Sequence, residues 1–361
     1  MAGPSLDVIL NAVYLASFVA FFAYGQRIQT SVMLLGVRRK LTRLEWFRNA
    51  AHSRLLELIS PYTLNRAEVE STLNRLESSF MITPANMDPA GIVGKLEHVL
   101  DTYDERLKSD VRRLVAGAPE AQINNLTNLL EVSISLESMF RVVRHYYLQS
   151  KKQGGLVALT QLQMSLPTIM EEAEAYNSAI EAFAEGKAVG DGIGVLVAKR
   201  FSEGSLATEL VKDTNVYETT YENRKLLVVR AKGPGGNVGK PGLAVEKLIK
   251  ESARIKRIIT IDAGLKLEGE PTGEVAEGTG AAVGGPGTER YHIEEAAAKS
   301  NIVLDAVIVK MSSKEAISTL SQELREAADA AYNRIRTIIQ AETAPGDTVI
   351  IAGIGNTIGI E

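Results

Sequence analysis

The sequence predicts a chain in three parts: an N-terminal transmembrane helix, an all-α helical middle region and a C-terminal α/β domain. The last is expected as three layers, α/β/α, around a mostly parallel sheet. Three observations carry this. Residues 6–24 form an apolar run with a single charge. Leucine, isoleucine and valine then recur at spacings of three and four through the next stretch. After Gly186, short β-branched runs alternate with helical patterns and glycine-rich loops. The expected parts are 1–40, 41–187 and 188–361, in keeping with ~100–200 residues per domain.

The first run, LDVILNAVYLASFVAFFAY, is charged only at Asp7. As a helix it reaches about 30 Å, the thickness of a bilayer's hydrocarbon core. Tyr24 ends it, as tyrosines do at membrane interfaces. A cleaved signal peptide fits poorly, because no basic residue precedes the run and no A-x-A-like site follows it. Behind it come Arg27, Arg38, Arg39, Lys40, Arg43, Arg48 and Arg54 against one acid, Glu45. Positive flanks stay inside, so the expectation is a single-pass protein of the cell membrane with its domains cytoplasmic. Anionic lipid headgroups would gather near Arg38, Arg39, Lys40 and Arg43. Trp46 and Phe47 read equally as interfacial or as core.

In the middle region Asn65 and Glu68 make a capping-box-like start, followed by Leu73, Leu76 and Phe80. Asp88 and Pro89 suit the next helix start, with Ile92, Leu96, Val99 and Leu100 as its stripe. A helix from Pro119 to Lys152 carries Leu126, Leu129, Leu130 and Ile134 on one side. Gly154-Gly155 separates a further helix, in which Pro167 should introduce a kink. The plain reading is a helical bundle, and no chemistry is assigned to it.

In the α/β region the expected strands are 225–230, 258–261, 302–309 and 348–352. The expected helices are 243–252, 293–301 and 314–341, the last divisible in two. Residues 187–201 read as glycines with a β-branched run. Strand–helix alternation places ligand crevices at the carboxyl ends of the strands.

Several classes of chemistry are excluded. There is no Cys, hence no disulfide, thiolate nucleophile or iron–sulfur cluster. The net charge of −4 and the lack of a basic, aromatic-interleaved patch in the domains disfavour nucleic acid as a partner. The four histidines are scattered, and no H-E-x-x-H or G-x-S-x-G occurs. No metal set or cofactor is identifiable.

Three glycine-rich loops follow three expected strands, and their convergence on one rim is the case for a site. The first, 231–242, offers Gly233, Gly235, Gly236, Asn237 and Lys240. It departs from the P-loop in spacing and has Pro241 where Ser or Thr should be, leaving either an anion nest or a long turn. The middle loop, 262–290, starts at Asp262 and carries Glu268, Glu270, Glu274 and Glu277. Gly278, Gly280, Gly284, Gly285 and Gly287 follow, then Glu289 and Arg290. A carboxylate at a strand end can orient water or a metal, or it can cap a loop. The third, GIGNTIG, lacks a following helix, so a dinucleotide site is improbable, and Asn356 suits a left-handed turn.

Two resemblances follow from these segments. On the N-terminal run, TPANMDPAGIVGKLEHVLD, residues 261–297 and the AGIGNTIGI ending, the chain resembles an archaeal family of membrane-anchored proteins, domain of unknown function 1512. That resemblance implies no activity. IITIDAGLK with GEVAEGTGAAVGGPG is similar to the germination protease and hydrogenase maturation protease superfamily, of α/β/α fold. This likeness puts Asp262 on the acid that ends the strand, and Gly278, Gly280, Pro286 and Gly287 on the glycine-rich segment. It also implies a second acid in the first loop, where Gly239-Lys240-Pro241-Gly242 has none.

The resulting expectation is that the α/β domain binds a small anionic ligand, or acts as a peptidase-like hydrolase. The rim would be Asp262, Asn237, Lys240 and the 278–287 loop, with Asp262 as the catalytic group. The rival is a non-enzymatic membrane scaffold, with the helical region as a homo-oligomer interface.

Overall fold

The computed structural model describes residues 6–63, 65–84, 91–153, 156–252 and 254–361, with backbone alone at 6–9, 20, 22, 23, 26 and 153. The expected cap at Asp88-Pro89 and the Gly154-Gly155 break lie outside these residues. The chain divides into two compact units, Met1–Ala50 with Ser135–Ala173, and Ala51–Ile134 with Glu174–Glu361.

Five long or medium helices come first: α1 (Leu6–Ile59), α2 (Arg66–Leu76), α3 (Ile92–Leu114), α4 (Glu120–Gln153) and α5 (Leu156–Glu185). The first unit takes its buried side chains from Val37, Leu44 and Phe47 of α1, Leu136 and Val143 of α4, and Leu159 and Leu162 of α5. The Arg48 guanidinium lies 4.4 Å from the Phe140 ring centroid and 3.6 Å from Glu137. Phe47 is thus core, and Trp46 is exposed. Helix α5 continues through Pro167.

The transmembrane expectation is corrected here. Among the described residues no helix is long and apolar enough to cross a membrane. The apolar run is interrupted by Asn11, Tyr14, Ser17 and Tyr24. It passes without a cap into Gln26-Arg27-Ile28-Gln29 as the start of one 54-residue helix. Part of the expected span (the side chains of 6–9, 20, 22 and 23) lies outside the description. The single-pass anchor, the cell-membrane localisation, the cytoplasmic orientation and the lipid-headgroup partner at Arg38, Arg39, Lys40 and Arg43 fall with it. Those four residues sit on an ordinary exposed helix face.

In the second unit the helical part begins where the sequence suggested. Asn65 accepts from the Glu68 amide at 3.3 Å and donates to the Glu68 carboxylate at 3.1 Å. Its buried residues include Leu55, Ile59, Leu73, Leu107, Leu129 and Leu130. Glu77 is buried between His52, at 2.9 Å, and the Ser133 hydroxyl, at 2.6 Å.

The α/β part runs α6 (Ile193–Phe201), β1 (Ala207–Val211), β2 (Thr214–Tyr221), β3 (Arg224–Ala231), α7 (Pro241–Glu251), β4 (Ile255–Leu265), β5 (Val275–Thr279), α8 (Thr288–Lys299), β6 (Val303–Met311), α9 (Ser313–Ile317), α10 (Gln322–Glu342) and β7 (Thr348–Gly353). The sheet order is β1-β2-β3-β7-β4-β6-β5. Pairs β3–β7, β7–β4 and β4–β6 are parallel, while β1–β2, β2–β3 and β5–β6 are antiparallel. The sheet is therefore mixed, not mostly parallel. The strands that change it are the two short edge strands, ATELV and VAEGT, and the polar TNVYETTY beside the first, none with a continuous apolar run.

Two cores flank the sheet. On one face Leu226, Val228, Ile259, Ile261, Val307 and Ile351 pack with α6 and α10. On the other, Leu227, Val229, Ile258 and Ile350 pack with α7 and α8. The alternation by one residue along β3 and β4 is the two-residue period of a strand, with both faces buried. Because β3, β4 and β7 are mutually parallel, their carboxyl ends lie on one rim of the sheet.

Candidate functional site

The first loop leaves β3 and lies against α4 and the chain's end. The Gly236 amide donates to Asn125 Oδ1 at 2.8 Å, and that of Asn237 to Thr357 Oγ1 at 3.2 Å. The Gly239 amide donates to Asn237 Oδ1 at 2.9 Å, and that of Lys240 to Thr214 Oγ1 at 2.6 Å. Thr357 returns its own amide to Asn237 at 2.9 Å, and Gly359 donates to Pro234 at 2.9 Å. A Cβ at Gly233 would fall 1.9 Å from the Ile360 carbonyl, and one at Gly235 2.6 Å from Ala121 Cα. Close backbone approach explains these glycines, and the amides of Gly236, Asn237, Gly239 and Lys240 are engaged by side chains.

Over this loop opens a cavity of about 400 Å³, wholly within the second unit. The loop supplies Gly236, Asn237, Val238, Gly239 and Lys240, and the third loop supplies Asn356. Helix α3 supplies Asp101, Asp104, Glu105 and Lys108, and helix α4 supplies Asn124, Thr127, Asn128 and Glu131. Lys212 and Asp213 come from the β1–β2 turn.

Lys240 Nζ lies 2.5 Å from Asp101, 3.7 Å from Glu289 and 3.9 Å from Glu97. Burial pulls its pKa down, but the hydrogen bond to Asp101 and the three negative charges outweigh that and raise it. Burial pushes the Glu131 carboxyl up to about 7, and the charge of Asp104 adds to the shift. Glu289 is also raised by burial, against Lys240 and the Gly242 amide, which donates to it at 2.7 Å.

A second cluster lies deeper on the same rim. The last β4–β7 pair is Ile261 with Gly353, so from Asp262 onward β4 pairs only with β6. The first turn of α6 fills the opening. A Cβ on Gly194 would stand 2.2 Å from the Ile261 carbonyl and 2.3 Å from that of Ile354. Asp191, just before this helix, accepts from the Asn356 amide at 2.9 Å. Asp262 accepts from Ala263 at 2.7 Å and from Gly284 at 2.8 Å.

The charge of Asp191 reaches Asp262. Burial pushes Asp262 up to about 7, with the Asp191 charge adding and the two amides opposing. Burial likewise raises Asp191, against the Asn356 amide. Asp262 is 4% exposed, and Asp191 is the more open of the two.

The remaining sequence candidates lie elsewhere. Gly278, Gly280, Gly285 and Gly287 have open space at their Cβ positions, and none of them lines the cavity. Gly284 approaches only Asp262. Arg290 pairs with Glu294 on its own helix at 2.7 Å. Glu270 and Glu274 hold Lys310 at 2.6 and 3.3 Å, and Glu277 holds Arg334 at 2.9 Å. Among the described residues no group of three or more His, Asp or Glu is placed to hold a metal ion.

Residues 11–186 match the model described as the protein of unknown function (DUF1512) N-terminal domain, and residues 189–361 match the domain of unknown function (DUF1512) C-terminal. The chain belongs to the DUF1512 family. No curated protein and no solved structure matches it. The family matches carry neither an archaeal origin nor a protease likeness.

Sequence reasoning passed over two groups of residues in this DUF1512 chain. Asp191 sits in Gly-Asp-Gly-Ile-Gly ahead of a helix, a pattern that signals a tight backbone approach. Glu97, Asp101, Asp104 and Lys108, like Asn124, Asn128 and Glu131, recur at three and four, so each set is one polar stripe on a helix.

Proposed function

We propose that the α/β domain of this DUF1512 protein is a peptidase-like hydrolase using Asp191 and Asp262 as an acid–base pair. One observation carries the reading: two buried carboxylates from separate elements lie near enough that the charge of Asp191 raises Asp262, and among the described residues each is met by backbone amides and by no cation. Such an arrangement opposes stability, and groups so perturbed concentrate at functional sites. The second acid that the protease likeness implied is missing from 239–242, and in this reading its role falls to Asp191 from a different element.

The chemistry follows from one shared proton. With Asp262 near 7 and Asp191 raised by burial, the pair in this reading shares one proton around neutrality, as close carboxylates can. The ionised member takes a proton from water as its oxygen attacks an amide carbonyl carbon. The protonated member donates to the carbonyl oxygen, and the departing amine then takes the proton that water gave up. The competing reading, a non-enzymatic scaffold, draws on the burial of Asp262 and on its amide partners, which suit a structural cap.

The full chain incubated with a library of unstructured peptides separates the two. Cleavage products read by mass spectrometry, greatest near neutral pH and lost in both Asp191→Asn and Asp262→Asn while circular dichroism is unchanged, support the hydrolase. Absence of cleavage across the library, or equal cleavage by folded variants, supports the scaffold.

A further inference from the structure

The cavity above the first loop has a charge balance that the loop alone does not predict. Five carboxylates face three lysines across about 400 Å³. Each lysine already has an acid: Lys240 has Asp101 at 2.5 Å, Lys212 has Glu105 at 2.6 Å and Lys108 has Glu120 at 2.7 Å. Among the described residues neither Glu131 nor Asp104 forms an ion pair or accepts a hydrogen bond, and the charges of Lys240 and Lys212 that reach Asp104 do not outweigh its burial. Asn128 lines the same space, and its Nδ2 is buried without a partner.

We propose that this cavity binds a small organic cation, an ammonium or guanidinium group on a polar body, with Glu131 and Asp104 receiving the charge and Asn128 donating to an acceptor on the ligand. An anion finds little here. The amides of Gly236, Asn237, Gly239 and Lys240 are already taken by side chains, and uncompensated carboxylates repel it. A metal ion is also disfavoured, since among the described residues no set of three ligating side chains forms. An ammonium placed between Asp104 and Glu131 removes the repulsion that helps to hold Glu131 near 7. The cavity's size suits a metabolite-sized guest. The proposal is independent of the Asp191–Asp262 pair.

The experiment is calorimetric titration of the full chain at constant ionic strength with agmatine, spermidine, the tripeptide Gly-Arg-Gly and citrate. Saturable binding of at least one cation, with citrate inert, is expected. A preference for agmatine or spermidine marks a free amine as the source, and a preference for the tripeptide marks a basic side chain. Glu131→Gln and Asp104→Asn should each weaken binding by about tenfold, the worth of one charge-assisted hydrogen bond. Asp329→Asn, on the far exposed face of α10, should leave it unchanged, as should Asp262→Asn. No saturable binding by any cation, binding of citrate with like affinity, or unaltered affinity in both cavity variants with native circular dichroism would overturn the proposal.

Discussion

Asp262 shows how a single side chain sets a pH dependence. Its carboxyl is pushed up to about 7 in the fold, first by burial and then by Asp191. In the unfolded chain it titrates as an ordinary aspartate, near ~4. Between those values the folded state keeps a proton that the unfolded state has released. This stability is fully present below ~4 and is lost as pH rises through about 7, by on the order of 4 kcal/mol. Asparagine has no such proton to lose. The melting temperature of Asp262→Asn minus that of the parent should therefore rise by several degrees from pH 5 to pH 8. A difference that stays flat, or falls, would show that the carboxyl is ionised across the range. The sequence made Asp262 visible, because an acid follows a β-branched run. It hid Asp191, which lies 71 positions earlier, before a helix with no strand to point at it.

At the scale of elements, what was legible was what burial dictates locally. Strands β3, β4, β6 and β7 are continuous apolar runs, and the hydrophobic effect fixes them whatever their neighbours. Helix α6 was not recognised, because burial leaves it no pattern. IGVLVAKRF is buried on nearly every side, with Ile193, Val195, Val197 and Ala198 at zero exposure, so it lacks the polar face that marks a helix. Strands β1, β2 and β5 were missed because their partners, not their residues, make them strands. The β2–β3 hairpin turns at Glu222-Asn223, both with positive φ, a conformation that asparagine tolerates and glutamate announces to no one. Helix α6 can dock on the rim only because Gly194 has no side chain. Gly194→Ala places a methyl 2.2 Å from the Ile261 carbonyl, and neither of the two carbonyls it meets can yield without breaking the β4–β7 end. A loss of ~3 kcal/mol by urea unfolding is expected, at the upper end of overpacking costs. A loss under ~0.5 kcal/mol, within the range of neutral surface changes, would mean that the helix floats free of the strands.

At the scale of the molecule, the two family models meet between residues 186 and 189, yet the second compact unit runs across that boundary. The cavity explains why the boundary hides part of the site. Its floor is the glycine loop of the α/β domain, and its walls are α3 and α4, which the sequence presents only as solvated helix faces. The amides of the loop make the dependence measurable one by one. Gly236 donates to Asn125 of α4, whereas Asn237 donates to Thr357 within the α/β domain. In a fragment spanning 189–361 the first partner is gone and the second remains. Hydrogen exchange at Gly236 should accelerate by at least about tenfold relative to the full chain, because opening then costs less. Asn237 should keep most of its protection, provided the sheet beneath it stays folded. Equal protection at Gly236 in fragment and full chain would show that the loop holds its shape unaided. The helices would then be bystanders to the cavity, and its carboxylates would lose their claim to a ligand.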